Sequence, residues 1–195
     1  MRLYLYVIEH DKGFAPNPFF GACTLAACKP QIRQTAEIGD VIAGLGSKQV
    51  GLKGRMIYWM RVDEVLSFDE YWADPRFRLK CPQMGGSLMQ CYGDNIYHRD
   101  SQSGQWIQEH SFHSDPPNAK NGGNLKRDTA RTEKVLIGRE FAYWGGRGPR
   151  PPRRLAHMLP YGRAYRCIYG DDDRDGFVAW LENNPDRGFR SPPAD

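Results

Sequence analysis

Three histidines and several carboxylates lie within residues 92–115 of the sequence. An imidazole beside a carboxylate is suited to general acid–base catalysis near neutral pH. The candidate catalytic residues, if the protein is an enzyme, are Asp94, His98 and His113. An ordinary polar loop and a set of metal ligands are the alternatives. Because His110 and His113 match no recognised ligand spacing, we predict no metal site.

A second group of residues is suited to binding a base and a phosphate. Residues 13–21 contain two prolines and two glycines, which exclude regular structure, together with three phenylalanines. Aromatic faces stack on bases, and nearby cationic side chains neutralise phosphate. The candidate nucleotide- or base-binding residues are Phe14, Asn17, Phe19, Lys29, Arg33, Ser47, Lys48, Asn95 and Tyr97. The alternative interpretation folds this loop over a sheet, with its phenylalanines inside.

Arginine dominates the basic residues, with 19 arginines among 27 basic side chains and a net charge of +4. Arginine matches phosphate geometry better than lysine does, which favours contact with nucleotides. A strip near the C-terminal end consists of Arg147, Arg150, Arg153, Arg154, Arg163 and Arg166. The alternative is a charge-balanced surface, because residues 171–173 are all aspartate. P-loop, dinucleotide-binding and hydrolase-elbow motifs do not occur in the sequence, so we predict no cofactor.

Short strands and helices must position these residues. Apolar, β-prone runs predict strands at residues 2–8, 41–45, 55–65, 134–137 and 141–144. Pro30 predicts the start of a short helix, Ser67 the cap of a helical turn, and amphipathic spacing a helix over 175–183. Residues 78–133 show little periodicity and indicate a long loop insertion, and residues 187–195 are expected to fray. The pattern predicts an α+β fold.

The composition indicates a soluble globular protein with a substantial core. The chain has 195 residues, of which 40% are hydrophobic, and its 21 glycines and 14 prolines imply many loops. The sequence holds no apolar run near the ~18 residues of a membrane span, and its start predicts a strand rather than a signal peptide. The five cysteines include no C-x-x-C pair, so neither a disulfide framework nor a zinc ribbon is indicated, and a reduced, cytoplasmic location is expected.

Several unusual strings occur together in the order typical of one family. They are FAPNPFFG (14–21), CTLAACKP (23–30), GDVIAGLGSK (39–48), EYW (70–72), DPRF (74–77) and YGDNIYH (92–98). Over residues 2–145 the chain resembles the second type of nucleotide modification associated domain. The resemblance implies a role in phage and bacterial systems that modify DNA bases or handle modified ones. We predict this domain at residues 1–145, followed by an Arg/Pro-rich extension with a short helix at 146–195.

The order of elements also resembles that of PUA-like domains, including the EVE and ASCH families. In both, a strand and an irregular segment precede a Gly-Asp turn, here Gly39-Asp40, which leads into a central strand. This resemblance implies a small, twisted, barrel-like sheet of mixed or antiparallel strands that holds a base in an aromatic-lined cleft. The insertion at 78–133 departs from that pattern.

These observations predict a nucleic-acid or nucleotide-binding module that recognises a modified or flipped base. DNA or a modified nucleotide is the expected partner, with no membrane involved. The phenylalanines would stack on the base, the asparagines would read its edge, and the basic residues would hold phosphate. One alternative is an enzyme that acts on a modified nucleotide or base through the Asp/His loop. Another is a scaffold whose proline-rich arm binds partner proteins.

Overall fold

The structure, a computed structural model, describes residues 1–115, 120–162 and 165–195. In these ranges the strands are β1 (Leu3–Ile8), β2 (Cys23–Leu25), β3 (Val41–Gly46), β4 (Met56–Arg61), β5 (Glu64–Ser67), β6 (Tyr97–Arg99), β7 (Trp106–Gln108), β8 (Lys134–Gly138), β9 (Phe141–Tyr143), β10 (Tyr165–Arg166) and β11 (Gly188–Phe189). The α-helices are α1 (Pro30–Thr35), α2 (Phe68–Ala73), α3 (Leu88–Cys91), α4 (Gly122–Thr129) and α5 (Asp171–Glu182), and 3₁₀ helices cover Pro75–Lys80, Gly145–Arg147 and Arg153–Met158. None of the helices formed by the described residues has the length and apolar character that crossing a bilayer demands. Mixed sheets and short helices confirm the predicted α+β class.

The chain forms two compact units, each with its own hydrophobic core. Unit 1 contains residues 1–12, 37–63 and 138–195, and unit 2 contains residues 13–36 and 64–137. The chain therefore leaves unit 1 and returns to it twice. The domain boundary predicted between residues 145 and 146 stays a prediction, and unit 1 includes chain on both sides of it. The short helix predicted in the C-terminal segment is α5.

Unit 1 is built on a sheet with the strand order β10-β1-β3-β4-β9-β11. β1 and β3 pair in parallel and β3 and β4 pair antiparallel, so the sheet is mixed. Its core includes Leu5, Trp59 and Phe177, the last from α5. The strand predicted over residues 55–65 is two strands, because the Asp63 carboxylate accepts hydrogen bonds from the backbone N–H groups of residues 139 and 140 and turns the chain.

The C-terminal segment of unit 1 is anchored, so the expectation that residues 187–195 fray is wrong. β11 pairs in parallel with β9. The buried carboxylate of Asp11 accepts a hydrogen bond from the Ala194 backbone N–H at 3.1 Å and another from the Tyr143 hydroxyl at 2.5 Å. A buried acid that needs partners thus holds the end of the chain in place.

Unit 2 contains the sheet β2-β8-β5, the hairpin β6–β7 and the helices α1 to α4. The predicted helix start at Ser67 is confirmed as a capping box. The Ser67 hydroxyl accepts from the Glu70 N–H, and the Glu70 carboxylate accepts from the Ser67 N–H. Such caps contribute on the order of 0.5–2 kcal/mol. The long insertion carries α3, the hairpin and α4, and it supplies most of the polar side chains of unit 2.

Candidate functional site

Cys28 occupies a strained turn of unit 2, immediately before α1. Its φ is 59° and that of Lys29 is 43°, so two consecutive non-glycine residues adopt the left-handed conformation. Each such residue costs on the order of 1–3 kcal/mol and persists where surrounding contacts hold it. Pro30, whose ring presets the helical backbone, then begins the helix. The half-buried Cys28 side chain is displayed on this turn.

Arg33 holds the strained turn from inside. This fully buried side chain donates from Nε to the Cys28 carbonyl at 2.9 Å, from Nη1 to the Lys134 carbonyl at 2.9 Å and from Nη2 to the Asp128 carbonyl at 2.5 Å. Burial lowers the pKa of Arg33, and the charge of Asp128 opposes that shift. Arg33 therefore ties the turn to α4 and β8 through backbone acceptors.

His113 lies between Cys28 and Asp128. Its Nε2 is 3.7 Å from the Cys28 Sγ, and its Nδ1 is 3.3 Å from the Asp128 Oδ2. The ring of Phe14 packs against the imidazole, with 4.4 Å between the ring centroids. The side chain of His113 is 14% exposed, so the imidazole is confined but not sealed. A thiol therefore faces one nitrogen of an imidazole whose other nitrogen faces a carboxylate.

Asp128, on α4, is completely buried and held by donors on both carboxylate oxygens. Oδ1 accepts from the Cys28 backbone N–H at 3.0 Å and from the Arg127 Nε at 2.8 Å. Oδ2 accepts from the Tyr97 hydroxyl at 3.0 Å and from the Arg127 Nη2 at 2.9 Å. A buried carboxylate with this many donors stays ionised and fixed in orientation. We name Cys28, Tyr97, His113, Arg127 and Asp128 the cysteine cluster.

The charges of the cysteine cluster follow from these contacts. Burial alone would lower the pKa of His113, but its hydrogen bonds with Asp128 and Cys28 outweigh burial and raise that pKa to about 9. Burial alone would raise the pKa of Asp128, yet hydrogen bonds from His113 and Arg127 hold it well below its usual range. At neutral pH the imidazole is therefore protonated. The Cys28 sulfur faces this cation, and the Arg127 Nη2 lies 3.6 Å from it.

The cysteine cluster has the parts that covalent catalysis by a thiol requires. A nucleophile next to a base, with the base oriented by a third group, is the geometric signature of such chemistry. The thiolate is the nucleophilic form of cysteine. His113 is placed to hold and return a proton, Asp128 to orient the imidazole, and Arg127 to stabilise negative charge near the sulfur.

The same residues also offer metal-ligand atoms, since Cys28, His113 and Asp128 bring one each within 4.8 Å of one another. Two features disfavour a cation there. His113 turns different nitrogens towards its two neighbours, whereas a metal takes one nitrogen per imidazole. The Arg127 guanidinium also contacts both carboxylate oxygens and lies 3.4 Å from the His113 Nδ1. The donor set fits a nucleophile better than a metal ion.

Five of the candidate site residues gather at the cysteine cluster. They are Phe14, Lys29, Arg33, Tyr97 and His113. The roles predicted for them in stacking and phosphate binding stay predictions. In this structure Phe14 is 7% exposed and Arg33 is fully buried, so both act as supports of the cluster.

Asp94 lies instead in a closed network, which we name the lysine cluster: Asn17, Thr24, Tyr71, Lys80 and Asp94. The Lys80 ammonium donates to the Asn17 Oδ1 at 2.6 Å, the Asn17 carbonyl at 3.1 Å and the Ala22 carbonyl at 2.9 Å. The Asp94 carboxylate accepts from the Thr24 hydroxyl at 2.7 Å and the Tyr71 hydroxyl at 2.9 Å. Burial lowers the pKa of Lys80 to about 8, with Asp94 opposing, and raises the pKa of Asp94.

The other residues expected to contact a base are Asn17, a member of the lysine cluster, and Asn95 and Phe19, which lie next to its residues. The Asn17 amide nitrogen donates to the carbonyls of Gly13 and Tyr92, and the Asn95 amide nitrogen donates to the Tyr71 carbonyl. Phe19 is 2% exposed. Their roles at a base stay predictions. In this structure their contacts are internal, which agrees with the alternative that placed the phenylalanines inside.

His98, on β6, belongs to a third group of side chains. Its imidazole stacks on Trp72 with 4.0 Å between the ring centroids and 9° between the planes. Its Nε2 lies 2.8 Å from the Glu109 Oε1. His98 and His113 therefore have different partners, and the structure does not bring Asp94, His98 and His113 together at one site.

Ser47 and Lys48 follow β3 in unit 1 and line a cavity there.

Part of the arginine strip also lies in unit 1. Arg150 donates to the Lys53 carbonyl at 2.9 Å, and Arg166 donates to the His157 carbonyl at 2.8 Å. Arg163 lies outside the described residues.

The sequence interpretation missed Cys28, Arg127 and Asp128. The spacing of cysteines from one another is informative for disulfides and zinc ribbons, but it does not show which thiol lies beside an imidazole. The available signal was Cys28-Lys29-Pro30, because a thiol directly before a helix start is a known position for an activated cysteine. Arg127 and Asp128 carried no comparable signal, since they lie among other polar residues of α4, whose one apolar side chain is that of Leu125.

The family model described as nucleotide modification associated domain 2 matches residues 1–195. The match confirms the resemblance seen over residues 2–145 and extends it through the C-terminal segment. Comparisons with curated proteins and with solved structures give no match.

Proposed function

Since this chain belongs to the nucleotide modification associated domain 2 family, we propose that it is a thiol-dependent enzyme acting on a modified nucleotide. Cys28 is the nucleophile. The observation that supports this most directly is the position of His113, whose Nε2 lies 3.7 Å from the Cys28 sulfur while its Nδ1 faces Asp128. The family description supports a nucleotide as substrate, and the cysteine cluster supports the reaction class. This proposal keeps the enzyme alternative from the sequence analysis. Its catalytic residues are Cys28, His113 and Asp128 in place of Asp94, His98 and His113.

The reaction class is acyl transfer through a thioester. With the thiol proton held on His113, the Cys28 sulfur attacks the carbonyl carbon of an ester or amide carried by the nucleotide. A carbon–sulfur bond forms, the bond to the leaving oxygen or nitrogen breaks, and His113 gives its proton to the leaving group. Water or an amine then attacks the thioester, which releases the acyl group and restores the thiol. Asp128 keeps the imidazole oriented throughout.

The competing function is a reader that binds a modified or flipped base in DNA without chemistry. It was the leading interpretation of the sequence, and it would leave Cys28 dispensable. A DNA partner, a phage context, a PUA-like base-binding cleft and a cytoplasmic location stay predictions alongside it.

The test compares the wild-type protein with Cys28→Ser in two assays. Alkylation by iodoacetamide, located by mass spectrometry, reports which thiol is reactive, and hydrolysis of an activated aryl ester of acetic acid reports turnover. We expect Cys28 to be alkylated first and the substitution to abolish hydrolysis. Cys167→Ser is the matched control, because Cys167 is also half-buried and lies in unit 1. Undiminished hydrolysis in Cys28→Ser would contradict the proposal and favour the reader.

A further inference from the structure

A cavity of about 550 Å³ lies in unit 1, at the end of β3. Sites for small molecules typically measure roughly 300–1,000 Å³ and combine apolar walls with a few polar groups. The apolar wall here includes Val7, Leu45 and Leu159. The volume and the apolar wall suit an organic ligand rather than a bare inorganic ion.

Cationic side chains border the same cavity. Lys48 and Lys53 line it and are both exposed. Within the described part of the chain, neither ammonium group forms a hydrogen bond or ion pair. Arg150 adds a third positive charge close by, because its Nη1 donates to the Lys53 carbonyl at 2.9 Å. An anionic group on the ligand would be attracted to this side of the cavity.

An aromatic ring stands at the cavity as well. Tyr161 lines it and is 86% exposed, so one face of the phenol ring is available to a ligand. Aromatic rings of this kind stack on nucleobases. Glu9 also lines the cavity, and a carboxylate there can accept hydrogen bonds from sugar hydroxyls or base amino groups. The cavity thus offers an aromatic ring for a base, a carboxylate for sugar hydroxyls or base amino groups, and cationic side chains for a phosphate.

We propose that this cavity binds a nucleoside monophosphate, with the base on Tyr161 and the phosphate between Lys48 and Lys53. The site goes beyond the proposed function, because all its lining residues belong to unit 1 and it requires no reaction at Cys28. Ser47 and Lys48, both predicted to bind a nucleotide and Lys48 to hold its phosphate, line this cavity. Lys53 and Tyr161 line it as well and were not among the predicted residues.

Isothermal titration of the full chain with a nucleoside monophosphate, the matching nucleoside and inorganic phosphate tests the proposal. We expect the monophosphate to bind most tightly. Removing both ammonium groups in Lys48→Ala/Lys53→Ala should weaken it about tenfold or more, since hydrogen bonds to charged groups are the strong ones. Tyr161→Ala should weaken it about fivefold to a hundredfold. Lys126→Ala, which removes an exposed lysine of unit 2, is the matched control and should bind normally.

Four results would overturn the proposal. Equal affinity in the double lysine variant would remove the phosphate assignment, and equal affinity for inorganic phosphate would reduce the cavity to an anion site. Binding to an oligonucleotide but not to the monophosphate would indicate a polymer surface instead. Cys28→Ser should bind the monophosphate unchanged, and a loss there would contradict the placement in unit 1. Because no turnover is measured, this test fails or succeeds separately from the thiol chemistry.

Discussion

The cysteine cluster and the lysine cluster both place charged side chains inside unit 2, but they differ in access and in partners. Every side chain of the lysine cluster is at most 1% exposed, and the Lys80 ammonium donates to two backbone carbonyls and a side-chain oxygen. In the cysteine cluster, by contrast, Cys28 is half-buried and His113 is 14% exposed. The lysine cluster is closed to solvent, whereas the cysteine cluster leaves the Cys28 side chain partly accessible.

Charged residues of similar types therefore serve protein stability in the lysine cluster and are available for the proposed chemistry in the cysteine cluster. A fully satisfied buried network makes a unique packing arrangement, since each unpaired group would be costly. The Lys80 region even requires Gly93, because a Cβ there would clash with the Lys80 carbonyl. Among the described residues the Cys28 sulfur has no hydrogen bond to a carbonyl, and it lies next to the side chains of His113 and Arg127. Closure indicates a structural role, and the half-buried thiol of Cys28 is consistent with the functional role proposed above.

The largest effect expected is the loss of chemistry in Cys28→Ser. Turnover of the activated ester should fall by about a thousandfold or more, as for removal of a catalytic nucleophile, while the melting temperature stays nearly the same. The two readouts are ester hydrolysis and thermal unfolding. A variant that melts far below the wild type would show that Cys28 has a structural role. The two clusters would then not differ in function.

Lys80→Met should have the opposite effect to Cys28→Ser, namely a large loss of stability rather than a loss of ester hydrolysis. Removing one charge of the closed network leaves the Asn17 side-chain oxygen and Asp94 without their cation, which should cost about 3–5 kcal/mol in the free energy of unfolding. Urea denaturation measures this loss, with Lys126→Met, at an exposed lysine of the same unit, as control. A cost no larger than that of the control would show that the lysine cluster contributes little to stability.

The stability of the protein should depend on pH through His113. The pKa of its imidazole rises from an ordinary value of 6.5 to about 9 in the folded chain. A group whose pKa is higher in the folded chain than in the unfolded chain stabilises the fold fully when the pH is below its pKa in the unfolded chain. This stabilisation disappears as the pH rises through its pKa in the folded chain. Between pH 6.5 and 9 the wild type should therefore lose on the order of 2–3 kcal/mol relative to His113→Gln. Urea denaturation of both proteins across this window measures the difference, and parallel profiles would contradict it.

His98→Ala should have the smallest effect on stability and on ester hydrolysis. The substitution removes the stacking contact with Trp72 and the contact with Glu109, which should cost about 0.5–1.5 kcal/mol of stability. Ester hydrolysis should stay within about threefold of the wild type, because His98 has no contact with the cysteine cluster among the described residues. A large loss of hydrolysis with normal stability would restore His98 as a catalytic residue.

Much of the local structure was predictable from the sequence. The segments that form β1, β3 and β8 are apolar and β-prone. Ser67, with Glu70 three residues later, predicts the capped start of a helix. The break between β4 and β5 was not predictable, because it depends on hydrogen bonds from residues 139 and 140 to Asp63. The anchored C-terminal end depends in the same way on Asp11, near the other end of the chain.

The candidate site was predictable only in part. His113, Tyr97, Arg33 and Phe14 were selected because their types suit catalysis or nucleotide binding, and they do meet around one thiol. Asp94 was selected for the same reasons and lies in the closed network instead. A carboxylate in a sequence carries no sign of whether it will be enclosed, since enclosure depends on side chains far away along the chain.

The α+β class, the family and the starts of several helices and strands follow from the sequence alone, because they depend on residues a few positions apart and on strings that can be recognised directly. The pairing of a particular thiol with an imidazole and a carboxylate follows instead from the tertiary fold. Cys28 lies 85 residues from His113 and 100 residues from Asp128, and the buried Arg33 holds its left-handed turn in place. Reactivity arises from burial, charge and distance, and these are properties of the folded chain.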